Sequence, residues 1–162
     1  MNAPATIAAL AAAVAEGKPT EAIYAAAAAA AKELIGYRLF TVLALDGTDF
    51  PLRVQRAYSA NPDTYPPGGV KEKGDTPWTC QVLIQGRPFI GRSADDIREN
   101  FNDFELLHSL GCDAILNVPA VVRGRVAGTV NMSGAAGHFN ESHIAWGQVI
   151  AGLVAPVIEL PG

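Results

Sequence analysis

Residues 110–133 read LGCDAILNVPAVVRGRVAGTVNMS. Ala114 to Val122 is a run of mostly aliphatic residues, Arg123-Gly124 is a two-residue turn, and Arg125 to Ser133 is a second such run. Two runs of this kind joined by so short a connection, with a glycine in it, form an antiparallel hairpin. Asn117 and Asn131 stand mid-strand among apolar neighbours. An amide is disfavoured there and, if buried, has to find partners. A ligand is one source; backbone, a buried water, or solvent on an open side of the sheet are the others.

Downstream of the hairpin a helix begins near Asn140 and carries Ile144, Val149, Leu153, Val157 and Ile158, with Pro156 inside the pattern to kink or shorten it. Upstream, Ser93 with Asp96 and Asn102 with Glu105 both have capping-box spacing, so residues 93–110 form one helix or two short ones meeting near Asn102. Thr76-Pro77 opens a further helix that Gly86 stops, and Phe89-Ile90 is a short strand. Leu39 to Leu45 alternates as a strand up to a turn at Asp46-Gly47-Thr48-Asp49, and Leu52 to Ala57 returns as its antiparallel partner. Residues 58–69, YSANPDTYPPGG, then make a connection far stiffer than a plain hairpin needs, followed by the charged Lys71-Glu72-Lys73-Gly74.

Residues 1–35 read as a helical hairpin, the first helix running from Ala5 to Glu16 and stopping at Gly17, the second starting near Pro19. Seven consecutive alanines, Ala25 to Ala31, favour helix and give a face low enough for another helix to come close, in a neighbour or in a second copy of the chain. The order of elements suits an α+β domain with helices gathered on an antiparallel sheet.

The chain has 162 residues, 49% of them apolar, enough for one domain over residues 1–162 with a proper core. Charged residues make up 17%, 12 basic against 16 acidic, so a broad basic footprint for nucleic acid is missing. Cys80 and Cys112 are far apart, which speaks against a disulfide framework or a zinc site and for a reducing, cytoplasmic compartment. The alanine-rich start lacks a basic first segment, and no run approaches the roughly 20 apolar residues of a spanning helix, so no membrane segment is expected.

Three stretches together resemble a GAF domain over about residues 20–160: IQGRPFIG (84–91), the hairpin LGCDAILNVPAVVRGRVAGTVNMS with its x-V-P and G-x-V, and the closing FNESHIAWGQVIAGLVAPVI (139–158). The resemblance implies an antiparallel sheet of about five to six strands, N- and C-terminal helices on one face and a small-molecule pocket on the other. Family members bind cyclic nucleotides, haem, bilins, amino-acid-like effectors or nothing known, so the fold does not name the ligand. The N-K-x-x-x-F-x-x-x-D-E signature of cyclic-nucleotide binders and the linking cysteine of bilin binders are absent. In members that reduce free methionine sulfoxide, the key cysteine positions correspond to the neighbourhoods of Trp78 and His108, which Cys80 and Cys112 approach without coinciding.

In such a domain the connection after the second strand, the helix after it and the segment before the hairpin wall the pocket. Tyr58 and Tyr65 are then walls held in place by the prolines around them, or else parts of a surface loop. Lys71 and Lys73 upstream of the 76–86 helix, with Arg87 and Arg92 beyond it, offer a place for an anion near unpaired N–H groups. Trp78 shares a face with Val82 and either stacks on a ligand or belongs to the core; Cys80 is a small buried hydrophobe or a reactive thiol. If residues 93–110 are one helix, Ile97, Phe101, Phe104 and His108 line one face, with His108 pointing inward as a core residue, a general base or a haem ligand. His143 is the other histidine that haem would draw on, while His138 and His143, five apart, do not make a zinc pair on one helix face.

The expected protein is a small sensor-type domain that binds an anionic or aromatic metabolite at Tyr58, Tyr65, Lys71, Trp78, Phe101, Phe104, His108, Asn117 and Asn131. It is expected to signal through a homodimer formed by its terminal helices. The alternatives are an enzyme using His108, Cys80 or Cys112 in the same pocket, and a dimerising scaffold without a ligand.

Overall fold

The computed structural model describes residues 2–47 and 49–160. Helices α1 (Ala3–Ala15) and α2 (Thr20–Leu34) lead into strands β1 (Leu39–Asp46), β2 (Leu52–Ser59) and β3 (Val70–Lys73). A helical turn α3 (Pro77–Thr79) continues as a π-helix (Cys80–Ile84), followed by β4 (Phe89–Gly91), α4 (Ala94–Asn100) and α5 (Phe104–Ser109). The chain closes with β5 (Ala114–Val122), β6 (Arg125–Gly134), α6 (Glu141–Val154) and a 3₁₀ turn (Ala155–Val157). The expected turn at residues 46–49 includes Thr48, which lies outside the described residues.

The six strands form one antiparallel sheet in the order β3-β2-β1-β6-β5-β4. Its centre is the β5–β6 hairpin, whose turn residues Arg123 and Gly124 both take positive φ (50° and 83°), the backbone that a two-residue connection demands. Asn117 lies directly opposite Asn131, and Asn131 opposite Thr41, so polar side chains form a row across three strands.

Alternation sorts the sheet into two faces. Phe40, Val42, Leu116, Val118, Val130 and Met132 pack against α1, α2 and α6. The alanines allow close contact there: Ala27, Ala28, Ala30 and Ala31 are all buried. A Cβ on Gly147 of α6 would come within 2.8 Å of Val118 Cγ2, so that helix also lies tight on the sheet. Leu39, Leu52, Val54 and Ile115 look the other way, toward Trp78, Val82, Leu83, Ile97 and Leu107 from the segments that cover the second face.

The structure refines four of the sequence readings. Lys71-Glu72-Lys73, read from the sequence only as a charged stretch, is part of edge strand β3, paired through Leu52↔Lys73 and Val54↔Lys71. Of the two readings of residues 93–110, the pair of short helices meeting around Asn102 is the one that forms: Phe101 is extended (φ −135°, ψ 132°) and three residues separate α4 from α5. Neither capping box forms: Ser93 makes no side-chain cap, Asp96 instead accepting from the Arg92 N–H at 2.8 Å, and the residue before α5 is Asp103. The 76–86 helix is mostly π-helical, though Thr76 caps it as expected by accepting from the Thr79 N–H at 3.2 Å.

Candidate functional site

Between the second sheet face and the segments that cover it lies a cavity. It is lined by Leu39, Thr41 and Leu43 of β1, Val54 and Arg56 of β2, Tyr65 and Gly69 of the connection, Lys71 and Lys73 of β3, and Trp78. Phe101, Asp103, Leu107, Ile115, Asn117, Asn131, Met132 and Ser133 complete it. Its interior leaves about 60 Å³ for the centres of water-sized molecules. One water needs roughly 10–15 Å³ by this measure, so the space suits several waters or a compact small molecule.

The floor is a directed hydrogen-bond relay. Trp78 Nε1–H donates to Asn117 Oδ1 (3.1 Å), and Asn117 Nδ2 donates to Asn131 Oδ1 (2.8 Å). Asn131 Nδ2 in turn donates to Thr129 Oγ1 (3.0 Å) and Thr41 Oγ1 (3.3 Å). The mid-strand amides are therefore partnered by the protein's own side chains. Such a buried network fixes the Trp78 ring over the sheet.

The rim is cationic. The Arg56 guanidinium stacks on the Tyr65 ring at 3.7 Å, and Arg56 Nη1 donates to the Pro66 carbonyl (2.7 Å). Arg56 is only 9% exposed, yet its Nε is buried without a hydrogen-bond partner. Lys73 Nζ lies 5.1 Å from the centre of the Trp78 ring; burial, and then the neighbouring Lys71 charge, push its pKa down, while Asp103 pulls the other way. Among the described residues Asp103 is the one carboxylate in the wall. It accepts from the Tyr65 hydroxyl and pairs with Lys71 Nζ at 3.3 Å. Burial pushes the Asp103 carboxyl upward, but the hydrogen bonds from Tyr65 and Lys71 outweigh it and hold the pKa below the usual range. Burial first, and then that same contact, raise Tyr65.

Six of the expected residues thus come together: Tyr65, Lys71, Trp78, Phe101, Asn117 and Asn131. Tyr58 does not join them. Val42 pairs with Tyr58 and Leu43 with Arg56, so the ladder skips Ala57; this bulge breaks the alternation and sends Tyr58 to the helix-packed face, with its ring 5.8 Å from Tyr24. Phe104 and His108 line a separate pocket with Ile97, Arg98 and Asp113, since the break before α5 resets the helical phase. His108 is largely exposed and bonded through Nδ1 to Asp113 Oδ1 at 2.6 Å.

The thiols are also outside the cavity wall. Cys80 is partly exposed rather than buried, and its Sγ–H donates to Asp75 Oδ1 (3.2 Å), a contact that raises its pKa. Cys112 is buried, which pushes its thiol up. His143 Nδ1 accepts from the Asn140 N–H in the capping box of α6 and stacks on His138. Arg87 and Arg92 lie away from the cavity, Arg87 bonded to Gln85 and Arg92 facing Glu141. Among the described residues no cluster of three metal-ligating side chains occurs, and no helix is long and apolar enough to cross a membrane.

Reading the sequence for sites missed Arg56 and Asp103. Arg56 was within reach: it follows Leu52 and Val54 at period two, so it sits at an inward strand position where a charge needs a reason. Asp103 gives no such signal: the sequence allows a helix break near Asn102, but nothing in it aims this carboxylate into the cavity.

A search of the curated proteins returns no match. Solved structures do match. The phycoerythrobilin-bound GAF domain of a cyanobacterial phytochrome superposes with a TM-score of 0.72 at 12% identity, covering 98% of this chain and 95% of that one. The GAF domain of the cyanobacteriochrome TePixJ gives 0.62 at 18%, covering 86% and 89%. The GAF domain of a two-component sensor histidine kinase from Bacillus halodurans gives 0.60 at 17%, covering 83% and 92%. At such identities the likeness concerns the fold. The family model described as GAF domain matches residues 17–159, nearly the whole chain, and with that sheet, those helices and this cavity the chain belongs to the GAF domain family.

Proposed function

We propose that this GAF domain is a sensor-type module whose cavity binds a small anionic molecule with an apolar or aromatic body. The observation that carries the reading is the charge of the wall: three basic side chains, Arg56, Lys71 and Lys73, against the single carboxylate of Asp103, with the Arg56 Nε buried without a partner. A donor left so costs about 1–3 kcal/mol unless something accepts from it. Leu43, Val54, Trp78 and Phe101 offer the apolar surface for the rest of the molecule. Structural neighbours hold bilins. The compactness of this cavity, with both thiols outside its wall, favours a ligand much smaller than a tetrapyrrole.

The reading is tested by ¹H–¹⁵N spectra of the protein titrated with acetate, benzoate and indole-3-acetate, each beside its uncharged amide. The acids are expected to move the Trp78 indole and the Asn117 and Asn131 side-chain signals at concentrations where the amides do not. Acids that leave these signals in place, or amides that move them equally, overturn it. Transmission through a homodimer of the terminal helices belongs to the same proposal, supported by the exposed Ala22, Ala25 and Ala29 on the outer side of α2 and by exposed Val149 on α6.

A further inference from the structure

The cavity already contains one anion, the side chain of Asp103. Its carboxylate takes the Tyr65 hydroxyl and Lys71, the two donors at the rim that a bound anion would also seek. Two more donors in the wall have no carboxylate: Arg56 Nε, and Lys73, which faces the Trp78 ring. Asp103 sits at the end of the three-residue link between α4 and α5, at the N-cap position of α5 where its side chain makes no cap bond, and 21% of that side chain is already exposed. It can therefore turn toward solvent without breaking a helix.

We propose that Asp103 is an internal stand-in for the ligand's anionic group, so that binding exchanges one carboxylate for another and releases the α4–α5 link. The inference rests on the reading of the cavity as an anion site. Two carboxylates sharing Lys71 would repel each other, most strongly on the side toward the cavity interior, where screening by water is weakest. The exchange relieves this. The incoming group takes the donors of Tyr65 and Lys71, reaches Lys73 and the orphaned Arg56 Nε, and leaves Asp103 to hydrate. Because Phe101 lines the cavity and Phe104 the outer pocket on either side of that link, its release reaches both sites at once. Occupancy thus becomes a change in the mobility of residues 101–104.

The test uses the full chain, its Asp103→Asn variant, and benzoate and acetate as probes, with affinity read at the Trp78 indole signal and mobility by amide hydrogen exchange. Asparagine keeps the shape and removes the competing charge. The variant is expected to bind at least one acid roughly tenfold more tightly, as removal of a competing bound state requires. Without any probe, its residues 101–104 are expected to exchange faster than in the wild type. In the wild type the acid is expected to speed exchange in 101–104; in the variant it is expected to change it little. Equal or weaker binding by the variant, or slower exchange in 101–104 of the wild type on binding, makes Asp103 a structural or ligand-contacting residue and overturns the exchange. If neither protein binds either acid at Trp78, the anion-site reading fails along with it.

Discussion

Gly128→Ala is expected to abolish the native fold or to destabilise it by more than about 4 kcal/mol, the range reserved for severe steric conflict. A Cβ at this position would lie 2.0 Å from the Leu43 carbonyl oxygen and 3.2 Å from Ala44 Cα. Both are backbone atoms of the neighbouring central strand, which cannot step aside. The close approach follows from the bulge beside it: Ala120 pairs with Gly128 while Val121 pairs with Val126, so Ala127 is extra and β6 bends toward β1. Gly74→Ala is the control, since a Cβ there meets nothing within 4 Å. Its effect should stay within about 0.5 kcal/mol in the same urea titration. A stable Gly128→Ala protein would mean that the two strands are further apart than described.

Asn117→Ala carries the second large effect. It strands Trp78 Nε1–H and Asn131 Oδ1 together, two buried polar atoms that are bonded only through this amide. At about 1–3 kcal/mol for each unsatisfied group, with the lost packing added, the unfolding free energy should fall by roughly 3–5 kcal/mol. The Trp78 emission should also broaden and shift to the red as the ring loses its anchor. A loss below about 1 kcal/mol would show that cavity water replaces the amide, so that the relay is not a dry floor.

The hairpin that organises the sheet was legible because its signals are local. Arg123-Gly124 between two apolar runs leaves few alternatives, and the structure has both residues at positive φ. The helices around it were legible for the same reason, including the end of α6 just before Pro156. What stayed hidden depends on neighbours. Strand β3 carries charges because an edge strand need bury only one face, so its sequence has no apolar alternation to read. The break at residues 101–103 was one of two readings left open, because apolar residues keep helical spacing on both sides of it. It turns Phe104 and His108 out of the cavity that Phe101 still lines. Tyr58 and Arg56 look equivalent by period two, and only the bulge at Ala57 separates them.

The asparagines were visible as oddities, yet their meaning was not. Their partners, Trp78 and Thr41, lie 39 and 90 residues away along the chain. Residue type alone also could not tell Cys80 and Cys112, placed near the pocket segments in sequence, from residues of the wall itself.

The most direct measurement compares native and denaturing mass spectra of the wild type and of Lys73→Glu after each is incubated with a small-molecule cell extract and desalted. The expected result is a small acidic compound carried by the wild type, released on denaturation, and absent or at least tenfold depleted in the variant, whose wall has lost one positive charge and gained a negative one. A compound retained equally by both proteins, a cationic compound, or no retained compound in the wild type would contradict an anion-binding cavity.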